Sequence, residues 1–293
     1  MQHIPCLNYC EILSQMGETK EEFEKSLSRS LQMAGFSYCT RLYIGSYFCS
    51  RYFLSITREQ FEVVEAVCKE RKIKITLVLP IFSQQDLASG KEKIKQYAKR
   101  FGSLIDEVTI NDFGMLDYMY TEYTKKEESV HLMLGRLLMK DSRDPRYEEH
   151  FKCPLRPKIF TEYLDDLRFK YGLKGIELDP THEMIDLEQC PEELEVCIHA
   201  PYCYVTVGQI CEFSSIPKQI EKKFRPNVAC NLECRDHMIH YIMEGEHMWL
   251  RFGRGIFFEN RDVKIRGLHS IRLNYFPVEW EGKHEGTCST ESY

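Results

Sequence analysis

Between Cys211 and Cys234 the chain reads CEFSSIPKQIEKKFRPNVACNLEC. Cys230 and Cys234 stand four apart, a spacing that places both on one face of a helix. Cys211 precedes Cys230 by nineteen positions, and Cys203 precedes Cys211 by eight. Three or four thiolates that converge can hold either Zn²⁺ or an iron–sulfur cluster. Structural zinc sites commonly use two tight pairs. Here one loose pair stands among scattered singles, which tilts the reading toward a cluster assembled from separated loops.

The redox setting bears on that reading. The chain of 293 residues contains thirteen cysteines, an odd number. Its first residues show no basic stretch followed by an apolar run, so no signal peptide is expected. No window approaches eighteen uninterrupted apolar residues, so no membrane span is expected, and a cytoplasmic location follows. A reducing compartment disfavours a disulfide framework and makes metal binding the competing explanation. Buried cysteine also fills space as a small apolar residue, and Cys68, Cys190 and Cys197 are assigned to that role. Cys6, Cys10, Cys39, Cys153 and Cys288 carry no chemistry that their context reveals. The net charge of −6, with acids and bases mixed, does not indicate a nucleic-acid partner.

The elements that must position these thiols alternate. KEEFEKSLSRSLQMAGF is amphipathic, with Phe23, Leu27, Leu31 and Ala34 on one helical face. TRLYIGS reads as a strand, and TREQFEVVEAVCKERK as a helix that Thr57 caps, with Gln60 in the capping-box position. The strand patterns KIKITLVLP, IDEVTIND, SVHLMLGR, LKGIELDP and LEVCIHAPY follow. The helical patterns KEKIKQYAKRFGSL, GMLDYMYTEYTKK and PKIFTEYLDDLRFKYG lie between them. Strands that alternate with helices and are apolar throughout imply a parallel sheet covered on both faces. The expected fold is an α/β, TIM-barrel-like (β/α) domain with a small β-rich C-terminal segment; an open doubly wound sheet is the alternative. Residues 1–235 form the barrel-like part with the cysteine site, 236–280 a β-rich closing segment of the same domain, and 281–293 a disordered tail. Residues 142–158 read as a loop.

Functional groups of parallel barrels gather beyond the C-terminal ends of the strands. Those ends carry Cys49, the pair Asn111 and Asp112, Arg136, the pair Glu177 and Asp179, then His199 and Cys203, with Cys211 close behind. Asn111, Asp112, Arg136 and His199 are therefore the candidate substrate-binding residues. Arg136 suits an anionic small molecule, because a guanidinium grips carboxylates in a planar fork. Three of them have a structural alternative: Asp112 as the N-cap of the next helix, Arg136 paired with a loop carboxylate, His199 as a satisfied core histidine.

ELEVCIHAPYCYVTVGQICEFSS and the later CNLEC resemble the signature of the collagenase-like peptidase family U-32. Glu195, His199, Cys203, Gly208, Cys211, Cys230 and Cys234 match in order. Ala200 replaces the usual glycine, and Cys203 and Cys211 stand one residue further apart than in the pattern. RLYIGSYFCSRY, NDFGML, LGRLLMKDSRDPR and IRLNYFP are similar to segments of the UbiV-type iron–sulfur branch, and the resemblance spans most of residues 20–278. It implies a [4Fe-4S] cluster on four cysteines, oxygen-independent hydroxylation of a small molecule or RNA base, and a homologous partner subunit. By that resemblance Cys211, Cys230 and Cys234 are three ligands. The fourth is Cys49, which matches the UbiV-type branch and is favoured, or Cys203, which matches the broader family.

Two other functional classes remain open from the sequence. One is a non-catalytic partner bearing a cluster or zinc. The other, a true peptidase, is the weaker, because the chain has neither HExxH nor GxSxG.

Overall fold

The computed structural model describes residues 2–125, 130–139, 159–182, 184–226, 228, 230–235, 237–242, 248–267 and 270–278. The loop expected at 142–158, the tail at 281–293, Cys153 and Cys288 lie outside them.

Eight parallel strands close into a barrel. They are β1 (Gln2–Asn8), β2 (Arg41–Gly45), β3 (Lys74–Leu79), β4 (Ile105–Ile110), β5 (His131–Leu134), β6 (Gly175–Leu178), β8 (Glu195–Ala200) and β14 (Ser270–Tyr275). The closing strand β14 pairs with β8 on one side and with β1 on the other, for example Leu273 with Ile198 and with Pro5. The helices between strands are α1 (Lys20–Ala34), α2 (Ser50–Ser55), α3 (Arg58–Arg71), α4 (Leu87–Ala98), α5 (Phe113–Met119) and α6 (Glu162–Tyr171). The short β7 (Ile185–Asp186) pairs with β13 (Ile265–Arg266) outside the barrel.

Local chemistry starts these helices where the sequence signals them. Thr19 and Glu22 form a capping box on α1, and Thr57 and Gln60 form one on α3. Each helix then lays an apolar stripe on the barrel: Phe23 and Leu27 from α1, Phe61, Val64, Val67 and Cys68 from α3, Ile94 and Tyr97 from α4.

The segment expected to close the domain at 236–280 divides, and its sheet takes in one strand from before residue 235. β9 (Tyr202–Val207), β10 (Met238–Ile242), β11 (Met248–Phe252) and β12 (Gly255–Glu259) form an antiparallel sheet in the order β10-β11-β12-β9. Its side chains Phe252 and Phe257 meet the barrel-mouth residues Phe48 and Phe276. Of the remainder, β13 pairs with β7 and β14 is a barrel strand. A chain that has built seven strands still exposes two unpaired edges, and β14 removes both.

The barrel interior is polar at three levels. Near the N-terminal ends of the strands, Arg272 of β14 donates to Glu107 of β4 at 2.5 Å, Thr76 donates to Glu107 at 2.8 Å, and Arg41 donates to Asp106 at 2.7 Å. Glu195, at the start of β8, pairs with Arg272 at this same end, opposite the mouth. In the middle, Tyr43 of β2 donates to Cys197 of β8 at 3.3 Å. Near the C-terminal ends, Thr109 of β4 donates to Glu177 of β6 at 2.6 Å, and His199 of β8 meets the other Glu177 oxygen at 3.0 Å. The Arg272–Glu107, Arg41–Asp106, Tyr43–Cys197 and Thr109–Glu177 bonds join strands that are not neighbours in the sheet, and the Thr76–Glu107 and His199–Glu177 bonds join neighbours. Together they satisfy polar groups that burial would otherwise penalise.

Candidate functional site: a cysteine recess beside the barrel mouth

Glu11, two residues of loop beyond Tyr9, organises the mouth. Its φ of 62° is in the left-handed region, an unusual place for a residue with a Cβ. The carboxylate accepts bonds from Ser46 Oγ and Tyr47 N at 2.6 Å and from Phe48 N at 3.0 Å. Ser46 Oγ in turn accepts from Cys49 N at 2.8 Å. The loop enters through Gly45, where φ is 133° and a Cβ would stand 2.2 Å from the Val78 carbonyl oxygen, so only glycine fits. Glu11 thereby fixes the loop that presents Cys49 at the N-terminal end of α2.

Cys49, Cys211, Cys230 and Cys234 line one recess, together with Ser50, Arg51, Asp86, Gln209, Arg225, Glu233 and Arg254. The thiols come from the β2–α2 loop, from the loop after β9, and from the two sides of Leu232, whose φ of 63° bends the chain between Cys230 and Cys234. Burial pushes Cys49 up to about 11, against the backbone N–H of Tyr52 and the charge of Arg254. Burial pushes Cys234 up to about 12, and Cys49, Cys211 and Cys230 add to the shift as neighbouring negative charges. Burial also raises Cys230, and Arg51 opposes it. The four thiols are thus within electrostatic reach of one another. Among the described residues no three His, Cys, Asp or Glu side chains are close enough to hold a single metal ion, so the thiols border the recess without meeting at one point.

Two buried polar atoms of recess-lining residues lack partners among the described residues: Arg51 Nε and Glu233 Oε2. Arg51 is held at 3.2 Å from Asp86, whose other oxygen accepts from Ser50 Oγ at 2.7 Å. The Arg51 donor beside the thiols suits an anionic, sulfide-bearing group, which hydrogen bonds and nearby charge tune, whereas the Glu233 oxygen is an acceptor and offers such a group nothing.

Cys203 does not line the recess. It is fully buried on β9, against Trp249 and Phe258 in a small separate core, and its thiol donates to the Tyr204 carbonyl at 3.7 Å. The strand's two-residue alternation turns it into the antiparallel sheet, away from the loop that carries Cys211.

The four candidate substrate residues part company. Asp112 caps α5, its carboxylate accepting from Met115 N at 2.8 Å, so it serves the helix and not the mouth. Asn111 is a staple between strand ends: its amide donates to the Leu79 carbonyl at 3.0 Å and accepts from Leu137 N at 3.3 Å. Arg136 is buried, ion-paired with Asp179, and donates to the Tyr202 carbonyl at 3.1 Å. Tyr47, Phe48 and Tyr204 face its guanidinium at 5.2–5.8 Å, so a fork expected to grip a substrate is committed within the protein.

His199 keeps a place in a small cavity, bordered by Asn8, Glu11, Tyr47, Phe48 and Arg136, with Phe252, Phe257 and Phe276 above. Its Nδ1 is buried and has no partner among the described residues. Burial holds the imidazole well below its ordinary range, and the Arg136 charge adds to this. Burial raises Glu11 and Glu177 to about 7 each, against the hydrogen bonds of Ser46 and Thr109 respectively. A neutral imidazole beside two carboxyl groups that titrate near neutrality can hold or pass a proton.

No protein-family model matches this sequence, and no curated protein matches it. Among solved structures, the chain is similar to the homocysteine methyltransferase MmuM from Escherichia coli in its apo form. The identity is 10%, the TM-score 0.37, and the match covers 68% of this chain and 83% of that one.

Proposed function

We propose that this chain is a [4Fe-4S]-cluster protein that supports an oxygen-independent redox modification, of the hydroxylation kind that the U-32 resemblance implies, on a small molecule. A homologous subunit is part of the proposal. The observation that carries it is that Cys49, Cys211, Cys230 and Cys234, from widely separated parts of the chain, all line one recess.

The donor set fits the group. Four thiols serve one cluster, each iron taking one. A four-iron core is wider than a single ion, so ligands at the borders of a recess suit it. When bound, the cluster would supply or accept single electrons beside the barrel mouth. The rest falls to the chain. Glu11 holds the Cys49 loop in place through three hydrogen bonds. Arg51 and Arg254 offset negative charge at the sulfurs. Phe252, Phe257 and Phe276 exclude water from the cavity at His199, and Glu177 orients the imidazole through Nε2, leaving Nδ1 to meet the substrate. Because Arg136 balances Asp179, an anionic substrate has no claim on that guanidinium, and His199 is the contact we assign.

A second reading, a non-catalytic cluster- or zinc-bearing binding protein, draws support from apolar side chains exposed beside the recess: Ile216, Ile220 and Phe224. Purification without oxygen separates the two metals. A brown protein with a broad absorbance shoulder, and about four irons and four sulfides per chain, supports the cluster. A colourless protein with one zinc per chain overturns it.

A further inference from the structure

The wall of the cysteine recess is also part of the protein's outer surface. Gln209, Cys211, Ser214 and Arg225 line the recess from a single segment. The outer side of that segment combines exposed apolar side chains with basic ones. Ile216, Ile220 and Phe224 are 59%, 80% and 58% exposed within nine residues. The same stretch, IPKQIEKKFRP, carries Lys218, Lys222, Lys223 and Arg225 against the single acid Glu221, in a chain whose net charge is −6. Arg254 extends the basic character inward, donating to the Gly208 carbonyl at 2.7 Å and to Gln209 at 2.8 Å.

Apolar groups set among like charges form a surface for transient, electrostatically steered docking: charge brings the partner in and orients it, and a small apolar contact holds it briefly. Interfaces that pass electrons are at the small, weak end of protein–protein contacts. A second copy of this chain fits poorly, because a two-fold contact would set the basic segment against itself.

We propose that residues 209–226 form the docking surface for a small, acidic, one-electron carrier protein, which passes its electron inward through the Cys211 side of the recess. This rests on the cluster reading above. With a cluster held by these cysteines, one electron would leave the reduced carrier and enter the oxidised cluster, so that the carrier is oxidised by one, the cluster is reduced by one, and no bond is made or broken.

The test uses the full chain, with and without iron, and a strongly acidic plant-type ferredoxin as probe. Cytochrome c, a basic carrier, is the control. Binding is followed by calorimetry at low and physiological salt, and reduction by bleaching of the visible band. Weak ferredoxin binding that salt weakens further is expected. Lys222→Glu combined with Lys223→Glu lowers affinity at least about tenfold, or about 1.4 kcal/mol, and Ile220→Ser lowers it as well. Both variants alter exposed or half-buried side chains, and unchanged iron content and melting temperature establish that they are folded. Ferredoxin binding indifferent to the charge reversal overturns the proposal. So does equal binding of cytochrome c, or self-association that Ile220→Ser disperses. If no iron loads but the iron-free chain still binds ferredoxin through Lys222 and Lys223, the surface stands and the cluster reading falls. If the cluster loads and ferredoxin neither binds nor reduces it, the surface falls alone.

Discussion

Replacing Glu11 by glutamine tests whether a protonatable carboxyl governs the mouth. Glutamine keeps an oxygen to accept from Ser46 Oγ, Tyr47 N and Phe48 N but has no proton to lose in this range. Burial raises Glu11 from 4.5 to about 7, so the folded chain holds this proton where the unfolded chain has released it. The stabilisation is fully present below about pH 4.5 and is lost as pH rises toward and through about 7. At about 1.4 kcal/mol per pH unit, the fall attributable to Glu11 is about 3 kcal/mol. Glu177, also raised to about 7, titrates in the same window and gives a fall of its own. Glu11→Gln therefore flattens the stability profile without abolishing its slope. At about pH 8 the variant is expected to be more stable than the natural chain by about 2–3 kcal/mol, and at about pH 4 no more stable. Urea unfolding, followed by the fluorescence of the two tryptophans across this range, measures the difference. Parallel profiles for the two proteins, or a variant that is less stable at about pH 8, would refute the reasoning.

Three further outcomes follow from the geometry. Asp179→Ala strands the buried Arg136 guanidinium and costs about 3–5 kcal/mol in denaturant unfolding, far more than a surface pair would; a loss under about 1 kcal/mol would mean that Arg136 is solvated. Gly45→Ala drives a Cβ into the Val78 carbonyl at a positive φ, costs about 2–4 kcal/mol, and lowers iron loading by displacing the Cys49 loop; native stability with full iron content would contradict both. Cys203→Ser puts a hydroxyl among Trp249 and Phe258, lowering the melting temperature while leaving iron content unchanged, as melting and iron assays on the same sample would show.

The alternation of strands and helices was readable from the sequence because six barrel strands are short apolar runs between amphipathic helices. The two that escape that pattern do so for physical reasons. β1 carries Pro5 and has no preceding helix to mark it. β14 returns to the barrel only after the excursion through β9–β12, so its neighbours in sequence are not its neighbours in space. Missing β1 also hides Glu11 and the loop it holds, since a strand-end reading needs the strand. Cys49 was legible because it follows a clear strand and a glycine. Between Cys49 and Cys203 the sequence offers only a one-residue offset and family resemblance, whereas the structure places Cys49 on the recess and Cys203 in the small core with Trp249 and Phe258. Asn111 and Arg136 were found at the right end of the barrel, yet their hydrogen bonds are internal, and partners contributed from Leu79, Leu137, Asp179 and Tyr202 have no signature in local sequence.

The central claim is that four particular thiols, far apart along the chain, share one inorganic centre. Quantifying iron and acid-labile sulfide after anaerobic reconstitution, in single serine variants at Cys49, Cys203, Cys211, Cys230 and Cys234, tests it most directly. Loading is predicted to fall sharply in every variant except the one at Cys203. Retention of the full complement when Cys49 or Cys211 is changed, or its loss only when Cys203 is changed, would contradict the account.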